Sequence, residues 1–241
     1  YDPSTGVSST PEYGKVFISV KSTTGANLTS TQKTQLVNDL KKYTIASITP
    51  EIVDPETTFI RLDSKVKFDS SATTDSADAI VTDVTTALTN YNTETLQTFN
   101  SQYRASAVSR IIDEANNSIL NNTTSVKLSK FFTPSVGSTT SYNLSFNNAL
   151  LNPESGYLAA TGGIITSSAF KVGTDTTSEF FFDDDGQGNL RRYSLVGTTR
   201  SYADSQAGTV DYSSGVIKIN NINITAISNV DDATSTQIRL I

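Results

Sequence analysis

At 241 residues the chain has room for one large or two ordinary domains, and it contains no Cys, His, Met or Trp. Without Cys and His there can be no disulfide, thiolate nucleophile, histidine-type serine triad or histidine-ligated metal centre, so only carboxylate, Lys and Tyr chemistry stays open. Eighteen Lys and Arg against 24 Asp and Glu give a net charge of −6, which repels a phosphate backbone; no basic stripe offsets it, and no apolar run approaches the roughly 18 residues that cross a bilayer.

The start, Tyr1-Asp2-Pro3, has neither a basic n-region nor an apolar h-region. With no initiator Met, the chain is expected to be an interior piece of a longer protein. Residues 1–13 are rich in Ser, Thr, Pro and Gly without periodicity, which suits an extended linker. Lys15–Lys21, KVFISVK, is a β-branched and aromatic run that predicts a strand buried on both faces. A helix follows: Thr29 and Gln32 make the S/T-x-x-Q capping pattern, and Leu36, Val37, Leu40 and Tyr43 recur at helical spacing. Strands are predicted at Ile45–Val53 and Thr57–Asp69, joined by Asp54-Pro55-Glu56. In the second, Ile60, Leu62, Val66 and Phe68 alternate with Arg61, Asp63, Lys65 and Lys67, the pattern of a sheet wet on one face.

From Asp75 the pattern turns helical, with Ala77, Ile80, Val81, Val84, Leu88 and Tyr91 on one stripe and Asp75 and Asp78 in the first turn, where the helix dipole favours anions. A further helix is predicted over Gln102–Ala115, with Tyr103, Ala107, Ile111 and Ala115 on its apolar side, and a long strand over Ser118–Phe132. Strand, helix, strand, strand, helix, helix, strand is a split β-α-β, ferredoxin-like order with one added helix. It defines an α/β domain over 14–130.

Beyond Phe131 short strands recur between turn signals: Tyr142–Phe146, Ile164–Val172, Ser178–Phe182, Leu190–Val196, Thr209–Tyr212, Val216–Ile219 and Ile222–Ile227. They predict a β-rich domain over 131–241, a small barrel or sandwich, and an α+β fold for the whole. Gly162-Gly163, Gly186-x-Gly188 and Ser213-Ser214-Gly215 supply turns able to take positive φ. The last apolar stretch, Gln237–Ile241, predicts a strand that continues or pairs with a neighbour.

Asp183-Asp184-Asp185-Gly186-Gln187-Gly188 is the best candidate for a cation site. Aligned on a calcium loop, however, it puts Phe181 in the first position and Arg192 in the twelfth, both wrong, so an acidic solvated hairpin tip is the expected reading. Paired carboxylates for glycoside hydrolysis have only Asp113/Glu114 and Asp183–Asp185 to draw on, with no Trp to build a sugar platform. Gly186-x-Gly188 lacks the third glycine of a dinucleotide fingerprint. Asn-x-Ser/Thr triplets at Asn27, Asn116, Asn121 and Asn143 carry no weight in so Asn/Ser/Thr-rich a chain. Phe180-Phe181-Phe182 is expected to give a core face plus one exposed ring, and Phe131-Phe132 the same. No catalytic, metal-binding or cofactor-binding residue is assigned.

The stretch Tyr13–Asp69, with its GKVFISV strand, its LTSTQK helix start and its VDPETTFIRL strand pair, resembles the baseplate wedge proteins of T-even-like contractile-tailed phages, the baseplate J-like family, in their C-terminal portion. GTVDYSSGVIKI, Gly208–Ile219, looks like the C-terminal β region of the same family. The resemblance implies a structural, non-enzymatic subunit of the virion tail baseplate, assembled in the host cytoplasm. It would join wedges into a ring by self-association and contacts with other wedge proteins, and rearrange on sheath contraction, without cofactor, nucleic acid, membrane or small-molecule substrate. Its contacts with other copies are expected through the 75–115 helices or the C-terminal strands. The alternative is a tail-fibre or surface adhesin domain that binds carbohydrate through β loops.

Overall fold

The structure, a computed structural model, describes residues 14–22, 27–43, 48–55, 57–151, 163–228 and 236–241. The expected linker at 1–13, positions 45–47 of the second predicted strand, Glu56 and Gly162 lie outside the described residues. The chain divides into two compact units, one holding Gly14–Pro55 and Ile60–Lys127 and the other holding the residues at 57–59 and from Leu128 on.

In the first, helix-bearing unit, β1 (Lys15–Ser19) and β2 (Thr49–Val53) pair in parallel, Lys15 opposite Thr49 through Ser19 opposite Val53. Helix α1 (Ser30–Lys41) is the crossover between them. Its start is the expected capping box: Gln32 N–H donates to Thr29 Oγ1 at 3.3 Å and Thr29 N–H to Gln32 Oε1 at 2.9 Å, satisfying two amides that the first helical turn leaves open.

β3 (Phe59–Phe68) neighbours β4 (Ile119–Phe132), and Ser64 Oγ lies 2.9 Å from Thr124 Oγ1 across the pair. Between them come α2 (Ala77–Tyr91), a π-helical turn over Asn92–Leu96, and α3 (Ala105–Glu114). The helices cover one face of the sheet: Val84, Val108 and Ile112 form the centre, with Leu62, Val66, Leu88, Tyr91, Tyr103 and Ile119 packed round it. On β3 the alternation holds from Leu62, which is half-buried like Val66 and Phe68, while Asp63, Lys65 and Lys67 are exposed.

Four expectations for this part of the chain need correction. A ferredoxin-like sheet would leave a slot between β1 and β2 for another strand, whereas here the two take each other's hydrogen bonds directly and β3 and β4 lie in a different sheet. β1 is not buried on both faces; Val16 and Phe17 are exposed. The fully buried residues of α3 are Val108 and Ile112, each one position beyond the expected Ala107 and Ile111, which are half-buried, while Tyr103 and Ala115 pack against the same cluster as expected. Asp75 precedes α2, whose cap is Ser76, accepting from Ala79 N–H at 3.2 Å.

In the second unit a barrel forms from β6 (Phe170–Val172), β7 (Phe180–Asp184), β8 (Asn189–Val196), β9 (Thr199–Asp211) and β10 (Val216–Ile227). All pairings are antiparallel, and the ring closes because β10 pairs with both β9 and β6. β5 (Thr139–Ser145) adds to β10, and the residues of β4 from Leu128 on pair with β11 (Ile238–Leu240), Phe132 opposite Ile238. The core gathers Phe170, Phe182, Leu190, Ile217, Ile219, Ile224, Ile238 and Leu240.

Three strand expectations change here. Ile164–Val172 is a regular strand only over Phe170–Val172, preceded by single bridges at Thr166 and Ser167. Val216–Ile219 and Ile222–Ile227 are one strand with a register shift between Ile219 and Ile222, so Asn220-Asn221 is a bulge and not a break. The last strand is not left open: besides β4, it has Ile241 N–H donating to the Thr166 carbonyl, and Thr166 N–H to the Ile241 carbonyl, both at 2.9 Å.

Candidate interaction surfaces

The acidic run is the densest group of titratable residues that the sequence singled out, and its placement differs from the expected tip. β7 continues through Asp183 and Asp184, and both are buried. Only Asp185 belongs to the turn, where Gly186 and Gly188 take φ of 75° and 97°. Asp183 lies opposite Arg191 in the β7–β8 ladder. Its carboxylate accepts from Arg191 Nε at 2.9 Å and Nη2 at 3.2 Å, from Arg200 Nη1 at 2.5 Å and from the Tyr202 hydroxyl at 2.9 Å. A bidentate guanidinium with further donors is what makes a buried carboxylate tolerable.

Asp184 faces the other way. Its Oδ1 accepts Ile165 N–H at 2.7 Å and its Oδ2 the Tyr212 hydroxyl at 2.5 Å; burial, reinforced by this carboxylate, pushes the Tyr212 hydroxyl pKa well up. Gly163 is required beside it, since a Cβ there would lie 1.5 Å from Asp184 Oδ1. Asp185 caps the turn, accepting Gln187 N–H at 2.8 Å and Asn189 N–H at 3.0 Å. Burial works to raise its pKa and is outweighed by these bonds, by the Asn189 side chain and by Arg191, which hold it below the usual range. The three carboxylates are thus committed to three separate jobs inside the fold, and among the described residues no three acidic groups converge as metal ligands.

Asp113 and Glu114 are likewise engaged apart from one another. Asp113 accepts Asn122 Nδ2 at 2.8 Å, while Glu114 pairs with Arg110 along α3 at 2.8 Å on an exposed surface. Asn116 spans Asp75 and Asp83 at 3.2 and 2.9 Å. Phe182 is fully buried against Phe170, with ring centroids 4.6 Å apart, but Phe181 on the opposite face is half-buried against Tyr193 at 5.5 Å and not an exposed ring. Phe131 meets Phe59 edge-on at 5.2 Å, and Phe132 meets Tyr142 at 4.9 Å.

What the chain does leave outside is apolar. In the helix-bearing unit Val16, Phe17, Tyr43 and Ile48 are exposed around β1, α1 and β2, and α1 buries no residue completely. A two-stranded sheet is marginal alone, and parallel sheets are normally covered on both faces. On α2, Val81 is 63% exposed and is followed by Thr82, Thr85, Thr86 and Thr89. These hydroxyls donate to the carbonyls four residues back at 2.9, 2.7, 2.8 and 2.8 Å. With the hydroxyls so used, this face of the helix offers methyl groups, with Asp78 in the first turn as its charge. Sequence periodicity missed it because Thr scores as polar; the signal was the repeated β-branched residue in a helix, where such residues are disfavoured.

Comparison with known proteins adds identity to these surfaces. Two family models match: the baseplate structural protein gp6, C-terminal domain I, over residues 5–53, and C-terminal domain III of the same protein over residues 56–130. Together they take in more than half of the 241 residues. The chain is also similar to the baseplate wedge protein gp6 of Enterobacteria phage T4, 28% identical over 160 residues, covering 59% of this chain and 24% of that protein. It therefore spans about a quarter of the length of the curated relative that it matches.

Proposed function

Given that the chain belongs to the gp6 family of phage baseplate wedge proteins, matched in that family's C-terminal domains, we propose that it ties wedges together in the baseplate ring. Its place is the virion tail baseplate and its role is structural. In the proposed role it contacts a second copy and neighbouring wedge subunits, shifts those contacts when the sheath contracts, and performs no catalysis. Residues 14–130 and 131–241 are its two working modules.

The observation that carries this reading is the apolar surface around β1, α1 and β2, within the segment matched as C-terminal domain I, together with the methyl face of α2, within the segment matched as domain III. Surfaces of this kind are covered in an assembly. A subunit of a ring needs two such faces, because a heterologous contact must be made on both sides of each copy.

The test is the mass of the purified chain by light scattering at high micromolar concentration. A species of two or more chains is expected, and Phe17→Asp or Val81→Asp should reduce it according to which face is used. A single chain of 25.9 kDa at every concentration would overturn the self-association.

A further inference from the structure

Across β7, β8 and β9, on the face turned away from the barrel core, Phe181, Tyr193 and Tyr202 form a row in register, with ring centroids 5.5 and 5.8 Å apart. Two guanidinium groups lie over this row, Arg200 at 4.6 Å from the Tyr193 ring and Arg191 at 4.2 Å from the Tyr202 ring. Both reach the single buried carboxylate of Asp183, so two cations share one internal anion. Arg200 commits Nη1 to that carboxylate, yet its side chain is still 27% exposed at the end of the row.

That end is an open strand edge. β9 pairs with β8 from Thr199 to Thr209, but with β10 only over Gly208–Asp211. Asn220 covers the Gln206 carbonyl at 3.2 Å. Among the described residues nothing pairs with the outer side of Thr199–Tyr202, the part of β9 that lies before its register shifts, facing Val196 to Tyr193. In an antiparallel ladder alternate residues of this stretch turn their N–H and C=O outward. The stretch has no Pro or Lys, and its one cation, Arg200, lies over the Tyr193 ring. Beside it stand Leu195, directly opposite Arg200, and Val196, 50% and 69% exposed.

We infer that the Thr199–Tyr202 edge accepts a short extended segment of a partner protein, adding a strand to the barrel sheet, with a carboxylate beside Arg200 and an aromatic or aliphatic side chain two residues along beside Tyr202. The backbone edge supplies hydrogen bonds and the side chains supply selection, as in strand addition generally. Period-two alternation puts both recognised side chains on one face of the incoming strand. The arriving carboxylate meets a field from two guanidinium groups that share the Asp183 carboxylate. Because guanidinium groups already cover a face of Tyr193 and of Tyr202, the row suits an incoming protein side chain better than a stacked sugar ring. The edge lies outside residues 5–130, which the family models match, and its use does not depend on the ring role.

The experiment is an NMR titration of the whole chain with the synthetic peptide Thr-Glu-Thr-Phe-Thr and its Glu→Gln counterpart. Amide shifts concentrated at residues 199–203 are expected, with the Gln peptide bound about fivefold more weakly, the size of one exposed charge pair. Leu195→Glu sets a carboxylate beside Arg200 within the chain; it should weaken the Glu peptide about fivefold and leave the Gln peptide unchanged, a split that a folding defect does not produce. Equal affinity for the two peptides, shifts centred elsewhere, equal weakening of both by Leu195→Glu, or no binding at millimolar peptide would each overturn the assignment.

Discussion

In the barrel, Phe170, Phe182, Leu190, Ile217, Ile224, Ile238 and Leu240 are withdrawn from water almost entirely, and even Asp183 and Asp184 are buried with donors matched to their oxygens. The β1–α1–β2 portion has the same kinds of residue in strand and helix, yet Ile52 and Pro50 are its buried positions while Val16, Phe17 and Ile48 stay in solvent. One region closes a core by folding back on itself. The other has too few strands to cover both faces of its parallel pair, and its apolar residues are available for a surface that arrives from elsewhere.

The sharpest way to break this contrast is to remove one ring from each region. Phe182→Ala should cost about 4 kcal/mol in chemical denaturation, because it empties a packed site, whereas Phe17→Ala, at a residue 37% exposed, should cost under about 1 kcal/mol and show instead as weaker association. Equal losses at the two positions would abolish the distinction. Next in size is Asp183→Asn, which leaves Arg191 buried without its anion and should lower stability by about 3 kcal/mol. Gly215→Ala should follow at about 2 kcal/mol: the residue has φ of 69°, and a Cβ would lie 2.0 Å from the Asn148 carbonyl oxygen.

The smallest effect is a titration. Hydrogen bonds from the Ser213 and Ser214 side chains and the Ser214 amide lower the Asp211 pKa to about 2. A carboxylate depressed by folding adds stability that is present above its ordinary pKa of 3.8 and is lost as pH falls through about 2. The expected NMR midpoint for Asp211 is therefore about 2, moving upward in Ser213→Ala/Ser214→Ala. A midpoint at the ordinary carboxylate value in the unsubstituted chain would show that the β9–β10 turn is not held as described.

Local signals in the sequence were legible where one short stretch decides the outcome. Thr29 and Gln32 announced α1, and the alternation from Leu62 to Phe68 announced β3. What escaped depends on residues brought together across strands. Because Asp favours turns, local preference assigns Asp183 and Asp184 to a solvated tip, although Gly186-x-Gly188 centres a hairpin that sets Asp183 opposite Arg191; that symmetry is the available clue. Arg200 and Tyr202 arrive from the next strand through irregular pairing, which spacing does not reveal. Asn220-Asn221 looked like a break because a polar pair interrupts an apolar run, but a bulge absorbs such a pair without ending the strand. The two glycines of GTVDYSSGVIKI have geometric reasons: a Cβ on Gly208 would lie 2.0 Å from the Lys218 carbonyl oxygen, and Gly215 meets Asn148 as described.

The sealing of β11 has a bearing on synthesis. Ile238 and Leu240 dock against Phe132 and Lys130, made more than a hundred positions earlier in the chain. Until they emerge, the barrel interior stays open on that side and the later part of β4 lacks its β11 partner. The growing polypeptide thus carries exposed strand surface while the residues between β4 and β11 are added, an interval in which a nascent chain is prone to aggregate.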